Sequence, residues 1–195
     1  MTDRPMIFTT ESVKAILEGR KTQTRRVFKK HFTFLVHRDG QGSRIGRVSG
    51  VPVLRVPFEN EDGEMDWYET PVKCPYGAPG DRLWVKETWR PCQVPQCGDS
   101  QCVEWLASER CKKNHFATLN RKGWKSPLFM PRSASRLTLE IVNIRVELLQ
   151  SISEDDARAE GVDSVDEYKT LWDKINGKKH PWIANPWVWV VEVKV

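Results

Sequence analysis

The run Gly19-Arg20-Lys21-Thr22-Gln23-Thr24-Arg25-Arg26 sets a lysine and a threonine three residues apart among three arginines. Just past the end of a helix, side chains at that spacing can meet around a tight turn. Crowding by Arg20, Arg25 and Arg26, or removal from water, makes the Lys21 ammonium easier to deprotonate. A neutral Lys21 can accept the proton of the Thr24 hydroxyl and turn that oxygen into a nucleophile. The chemistry then needs a carboxylate to protonate the leaving group. The same residues also make a plain basic turn that binds phosphate or faces solvent, and spacing alone favours that simpler reading.

A second group is Cys92, Cys97, Cys102 and Cys111, with His115 four residues beyond and Cys74 apart before Pro75. In a reducing compartment such clustering argues for metal before disulfide. Four thiolates could hold a structural zinc and fold a segment that lacks a core of its own. The gaps exceed the usual two-residue knuckle, so reduced, unbound thiols are the alternative. No His–Glu motif accompanies the cysteines, which argues against a catalytic zinc. His31, His37, His115 and His180 form no recognisable pair of the kind a ribonuclease would need.

The elements that must position these groups follow from periodicity. Thr9 or Thr10 can cap a short helix whose Val13, Ile16 and Leu17 share one face, with Gly19 at its left-handed end. Residues 20–27 leave that helix in an extended or turning path. Strands are expected at 32–37, 44–48, 53–58 and 65–69, with the turn Asn60-Glu61-Asp62-Gly63 between the last two. Pro57 restricts its strand to an edge or a bulge. Further strands run from Arg82 to Trp89, from Leu137 to Val146 and from Trp187 to Val195. Ser153 caps a helix over 154–160, and Ser164 with Glu167 forms a capping-box pair for one over 165–176, stopped by Gly177. Residues 90–128 lose periodicity and read as an insertion. With no βαβ alternation, the order predicts an α+β fold, an antiparallel barrel with helices packed on it.

Length and composition set the frame. A chain of 195 residues, 39% hydrophobic and 29% charged, is an ordinary globular mix, and one domain over 1–195 is expected. The longest apolar run, Trp187 to Val191, is too short to cross a bilayer, so no membrane partner is expected. Met1-Thr2-Asp3-Arg4-Pro5 lacks the basic start and apolar run of a signal peptide, which predicts a cytoplasmic location. The net charge of +5 hides strong segregation: residues 110–136 carry eight basic side chains and no acidic one, while 153–167 carry seven carboxylates. A polyanion responds to such local patches rather than to the total. Most of the nine Trp residues serve packing, and a minority could stack on bases.

Gly-Arg-Lys-Thr-x-Thr-x-Arg after a short N-terminal helix resembles the start of an ASCH domain, of the PUA-like superfamily. Gly80-Asp81-Arg82-Leu83-Trp84-Val85-Lys86-Glu87, the long strand at 136–148, the acidic helix after Ser153 and the closing strand are similar as well. The chain is particularly similar to ASCH proteins of phages and prophages. The resemblance implies a PUA-like antiparallel β-barrel with flanking helices and long insertions near 31–75 and 90–128. One ASCH branch, the small bacterial acetylcytidine amidohydrolases, uses a Lys–Thr–Glu triad. Overlaying its motif makes Lys21 the proton acceptor, Thr24 the nucleophile and Glu160 the proton donor to the departing amine. Glu154, Asp156 and Glu87 are rival carboxylates, and no cofactor is required. Arg20, Arg25, Arg26 and Arg132 would form a basic rim for RNA, DNA or a modified nucleoside. The chain departs from that branch in its greater length and in Arg25, which stands where an apolar residue is usual. Other ASCH members resemble non-catalytic RNA- or DNA-binding modules or ribonucleases. A phage structural or interaction protein is a third reading.

Overall fold

A computed structural model describes residues 2–28, 44–48, 51–59, 64–71, 73–92, 102–108, 110–111 and 123–195. In chain order these form β1 (Asp3–Ile7), α1 (Thr10–Leu17), β2 (Gln23–Val27), β3 (Arg44–Val48), β4 (Val51–Glu59), β5 (Met65–Pro71), β6 (Arg82–Lys86), β7 (Trp89–Pro91), β8 (Val103–Trp105) and β9 (Arg110–Cys111). They continue with β10 (Thr138–Leu148), α2 (Glu154–Ala159), α3 (Val165–Asn176) and β11 (Trp187–Lys194). The fold is α+β. No helix among the described residues is long and apolar enough to cross a membrane.

The main sheet has the order β1-β6-β10-β11-β2, with β1 parallel to β6 and the other neighbours antiparallel. One pair is thus parallel where an all-antiparallel arrangement was expected. Among the described residues no ladder joins β1 to β2, so the sheet is open at those edges. It is nevertheless curled: Arg26 Nη2 on β2 donates to the Ile7 carbonyl at the end of β1 at 2.6 Å, and its guanidinium lies 5.2 Å from the Phe8 ring centre. Residues 3–7 and 23–27 escape a periodicity reading because one contains Pro5 and the other is mostly polar. Edge strands tolerate both.

Strand β11 explains why Trp187 to Val191 reads as an unbroken apolar run. Val188 and Val190 face a cluster with Leu149, Ala157, Tyr168 and Trp172, while Trp189, Val191 and Val193 face one with Phe8, Val13, Leu83 and Ile141. The strand is buried on both faces, α2 and α3 covering one and α1 the other. In α1, Thr9 Oγ1 accepts from the Ser12 amide and Val13, Ala15 and Ile16 are buried. Leu17, expected on the same face, is instead 45% exposed, at the last residue of the helix.

Ser153 and Asp156 form a complete capping box on α2. For α3 only half of the expected box is present: Ser164 accepts from the Glu167 amide, but Glu167 reaches back to the Asp163 amide. The expected strand from Arg82 to Trp89 divides at Glu87 and Thr88. Trp89 opens β7, which with β8 and β9 makes a separate small sheet over Trp89, Val103, Trp105, Met130 and Ala134. A third sheet, β3-β4-β5, includes the expected pairing of 53–58 with 65–69; pairing to β3 stops at Arg55, so Pro57 interrupts no ladder on that side. The expected strand at 32–37 and turn residues 60–63 lie outside the described residues.

Candidate active site

Lys21 is fixed from two directions before its side chain makes any contact. Past α1 the chain reverses through Gly19, and the amides of Arg20 and Lys21 both donate to the Ala15 carbonyl, at 2.9 and 3.1 Å. The next amide, Thr22, donates to the Ala159 carbonyl at the end of α2, at 2.8 Å. Glu160 follows as the C-cap of α2, and Lys21 and Glu160 pair as an isolated antiparallel bridge. Gly161 makes this approach possible. It sits at φ +88°, and a Cβ there would lie 2.9 Å from Ala15 Cβ and 3.2 Å from Lys21 Cβ.

The two side chains then meet. Lys21 Nζ donates to Glu160 Oε2 at 2.5 Å and to the Glu160 carbonyl at 2.8 Å, and both side chains are 4% exposed. Burial pushes the Lys21 pKa below its ordinary value; Glu160 opposes that shift, and the charges of Arg26 and Arg25 add to it. Withdrawing two ions from water is costly, and apolar residues of the same volume would often stabilise the fold at least as well. A buried pair of this kind is therefore poorly explained by stability alone.

Lys21, Glu160 and the buried Thr24 border one cavity of about 450 Å³, walled otherwise by Arg25 and Arg26 of β2, by α1, α3 and the end of β1, and by Thr88 and Pro127. Thr24 lies on edge strand β2, opposite Val191. Both Lys21 amine hydrogen bonds go to Glu160 and neither to Thr24. Among the rival carboxylates, Glu87 accepts from Nε and Nη2 of Arg136 at 2.9 and 3.0 Å. Glu154 accepts from the Val165 amide, and Asp156 is engaged by Arg25 and Arg145. None of the three borders the cavity.

Arg25 has a fully enclosed side chain. It sits opposite Val190, on the face toward α2 and α3. Its Nη2 meets Glu147 Oε1 at 2.6 Å and Asp156 Oδ2 at 3.0 Å, and Nη1 lies 3.5 Å from Glu160 Oε1. Arg145 extends the network to Glu147, Asp156 and Glu192.

Of the expected basic rim, Arg25 and Arg26 border the cavity, while Arg20 and Arg132 do not. Arg20 is exposed, paired with Glu18 and bonded to the Gly161 carbonyl. Arg26 borders the cavity but is committed to Ile7. Arg132 is not part of the cavity: it lies near Asp3, Thr138 and the Trp84 ring. Of the expected thiolate quartet, Cys97 lies outside the described residues and only the backbone of Cys111 is described. Cys92 and Cys102 are joined through their backbones, the Cys92 amide donating to the Cys102 carbonyl at 2.8 Å. Among the described residues no group of three or more potential ligands could hold a metal ion.

Tyr168, Gly161, Arg145 and Glu147 were not singled out from sequence. Gly161 could have been, since a glycine directly after a short acidic helix marks a left-handed exit. Arg145 and Glu147 are readable only as alternate residues on one face of a long strand. Comparison of the chain with family models, with curated proteins and with solved structures found no match.

Proposed function

We propose that the chain is an ASCH-type, PUA-like barrel protein that hydrolyses the amide of an acylated nucleobase, with Lys21 as base, Thr24 as nucleophile and Glu160 as acid. One observation carries this reading: a buried lysine and a buried glutamate, 139 positions apart, meet at 2.5 Å on the wall of an open cavity that Thr24 also borders. The Arg26 contact that draws β2 toward β1 supports the barrel. The cavity volume suits a ligand the size of one nucleoside, free or exposed from RNA or DNA. Arg20, Lys21, Arg25 and Arg26 already have acceptors within the protein, so a site devoted to gripping phosphates has less support.

The pair shares one proton between two groups. The reaction runs from the form in which Lys21 carries an amine and Glu160 the shared proton, and burial, which lowers the Lys21 pKa, eases access to that amine. Thr24 Oγ1 attacks the acyl carbonyl while Lys21 takes its proton. The C–N bond breaks as Glu160 protonates the departing nitrogen, leaving an ester on Thr24. Water then attacks that ester and gives a proton to Glu160. Lys21 returns its proton to Thr24 as the acid departs, which restores the starting state. Apo contacts between nucleophile and base are often loose, consistent with the absence of a Lys21–Thr24 hydrogen bond. The test is incubation with N4-acetylcytidine and chromatography of the products. Cytidine release that falls by about a thousandfold or more in Thr24→Ala is expected. No release, or release unchanged in Thr24→Ala, would overturn the reading.

A further inference from the structure

Arg25 takes no part in the steps above, yet it is the cation set against the acid. Glu147 and Asp156 hold its Nη2, which leaves Nη1 toward Glu160 Oε1 at 3.5 Å. Neither Nη1 nor Nε has a hydrogen-bond partner, and Glu160 Oε1 accepts none. The Glu160 carboxylate therefore lies between two cations, Lys21 on one oxygen and Arg25 beside the other. Building on the hydrolase reading, we propose that Arg25 is a positioning residue: it sets where the proton shared by Lys21 and Glu160 rests, and so the pH range in which Lys21 can act as a base.

The surroundings single out Arg25 for this role. Strand β2 also contributes Arg26, whose guanidinium is drawn to Ile7 and Phe8. Strands β10 and β11 contribute Arg145, Glu147 and Glu192, and α2 contributes Asp156; these four bond among themselves at the far end of Arg25. Helix α3 contributes Tyr168, whose phenol burial keeps neutral, and α1 contributes Glu11 at the cavity wall. A positive charge beside Glu160 attracts its carboxylate form and repels the Lys21 ammonium. It thus favours the ion pair within the couple, yet makes the couple's last proton easier to lose to solvent.

The experiment follows the Lys21 side-chain carbon next to the amine by NMR in lysine-labelled protein, assigned by its absence in Lys21→Met. Arg25→Gln should raise the Lys21 titration midpoint by about one pH unit or more, because a neighbouring cation has gone. Arg25→Lys, which keeps the charge, should titrate close to the unsubstituted protein. Should Arg25→Gln fold poorly with Glu147 left to Arg145 alone, the double variant Arg25→Gln/Glu147→Gln removes one cation and one anion and should show a smaller upward shift, because Arg25 lies nearer the pair. An unchanged or lowered midpoint in the Gln variants, or an equal shift in Arg25→Lys, would overturn the proposal. The readout needs no turnover. A shifted midpoint in a protein that never releases cytidine would therefore overturn the hydrolase reading while leaving the effect of Arg25 on the Lys21 proton in place.

Discussion

Glu160→Gln isolates what the buried pair does for the fold. The substitution keeps size and one acceptor but leaves the Lys21 amine, 4% exposed, without its counter-charge. The folded protein can escape by releasing the lysine proton. At about pH 7 that release costs about 1.4 kcal/mol for each of the roughly three pH units separating the solution from the ordinary lysine value, or about 4–5 kcal/mol. Breaking buried pairs by removing one partner falls in the same range, about 3–5 kcal/mol. The amide oxygen of Gln offsets part of this, so a loss of about 3 kcal/mol is expected. The sign with pH is definite. Lys21 is held below its unfolded pKa, so the unfolded chain binds the extra proton and stability rises as pH rises toward the unfolded lysine value. Loss of Glu160, which opposes that lowering, steepens the slope. Urea unfolding followed by tryptophan fluorescence between about pH 6 and 9 measures both quantities. A loss under about 1 kcal/mol with no added pH dependence would refute the burial and pairing described for Lys21. The double variant Lys21→Met/Glu160→Leu should recover most of the stability and none of the proposed hydrolysis.

Two further substitutions probe how the site is held. Gly161→Ala should destabilise the protein by about 1–3 kcal/mol, through the positive φ and the contacts with Ala15 and Lys21, and should reduce turnover more than Tm alone explains; unchanged thermal unfolding would count against that packing. Ser153→Ala removes the hydroxyl that caps α2 and should cost about 1 kcal/mol in urea unfolding, and a loss indistinguishable from zero would mean the cap is not formed in solution.

The parts of the fold legible in the sequence are those governed by local rules. The caps at Thr9, Ser153 and Ser164 depend on side chains a few residues away, and helix bounds followed from them. Strands β10 and β11 announced themselves by apolar content. Strands β1 and β2 did not, because an edge strand needs neither alternation nor freedom from proline, and both owe their place to partners far along the chain. The same division runs through the site. Lys21 and Thr24 are three residues apart and were found by spacing, whereas Glu160 was reached through a family resemblance. The resemblance puts Arg25 in a basic rim for phosphate, whereas its enclosed side chain is engaged by carboxylates of the protein at the cavity wall. Its burial depends on Glu147 and Asp156, more than a hundred positions away, and no local pattern of residues 20–26 contains them. Arg132, expected at the same rim, has as neighbours Asp3 and Thr138, from the β1 and β10 ends of the main sheet.

The most direct test of the Lys21–Thr24–Glu160 assignment is a search for the acyl group on Thr24. The protein is mixed with N4-acetylcytidine, quenched in acid during turnover and digested, and the peptide containing Thr24 is weighed by mass spectrometry. The account predicts an acetyl group on Thr24 that builds up in the unsubstituted protein and is missing in Lys21→Met. Cytidine release with an acetyl group on another residue, or with no acylated intermediate under any quench, would contradict it.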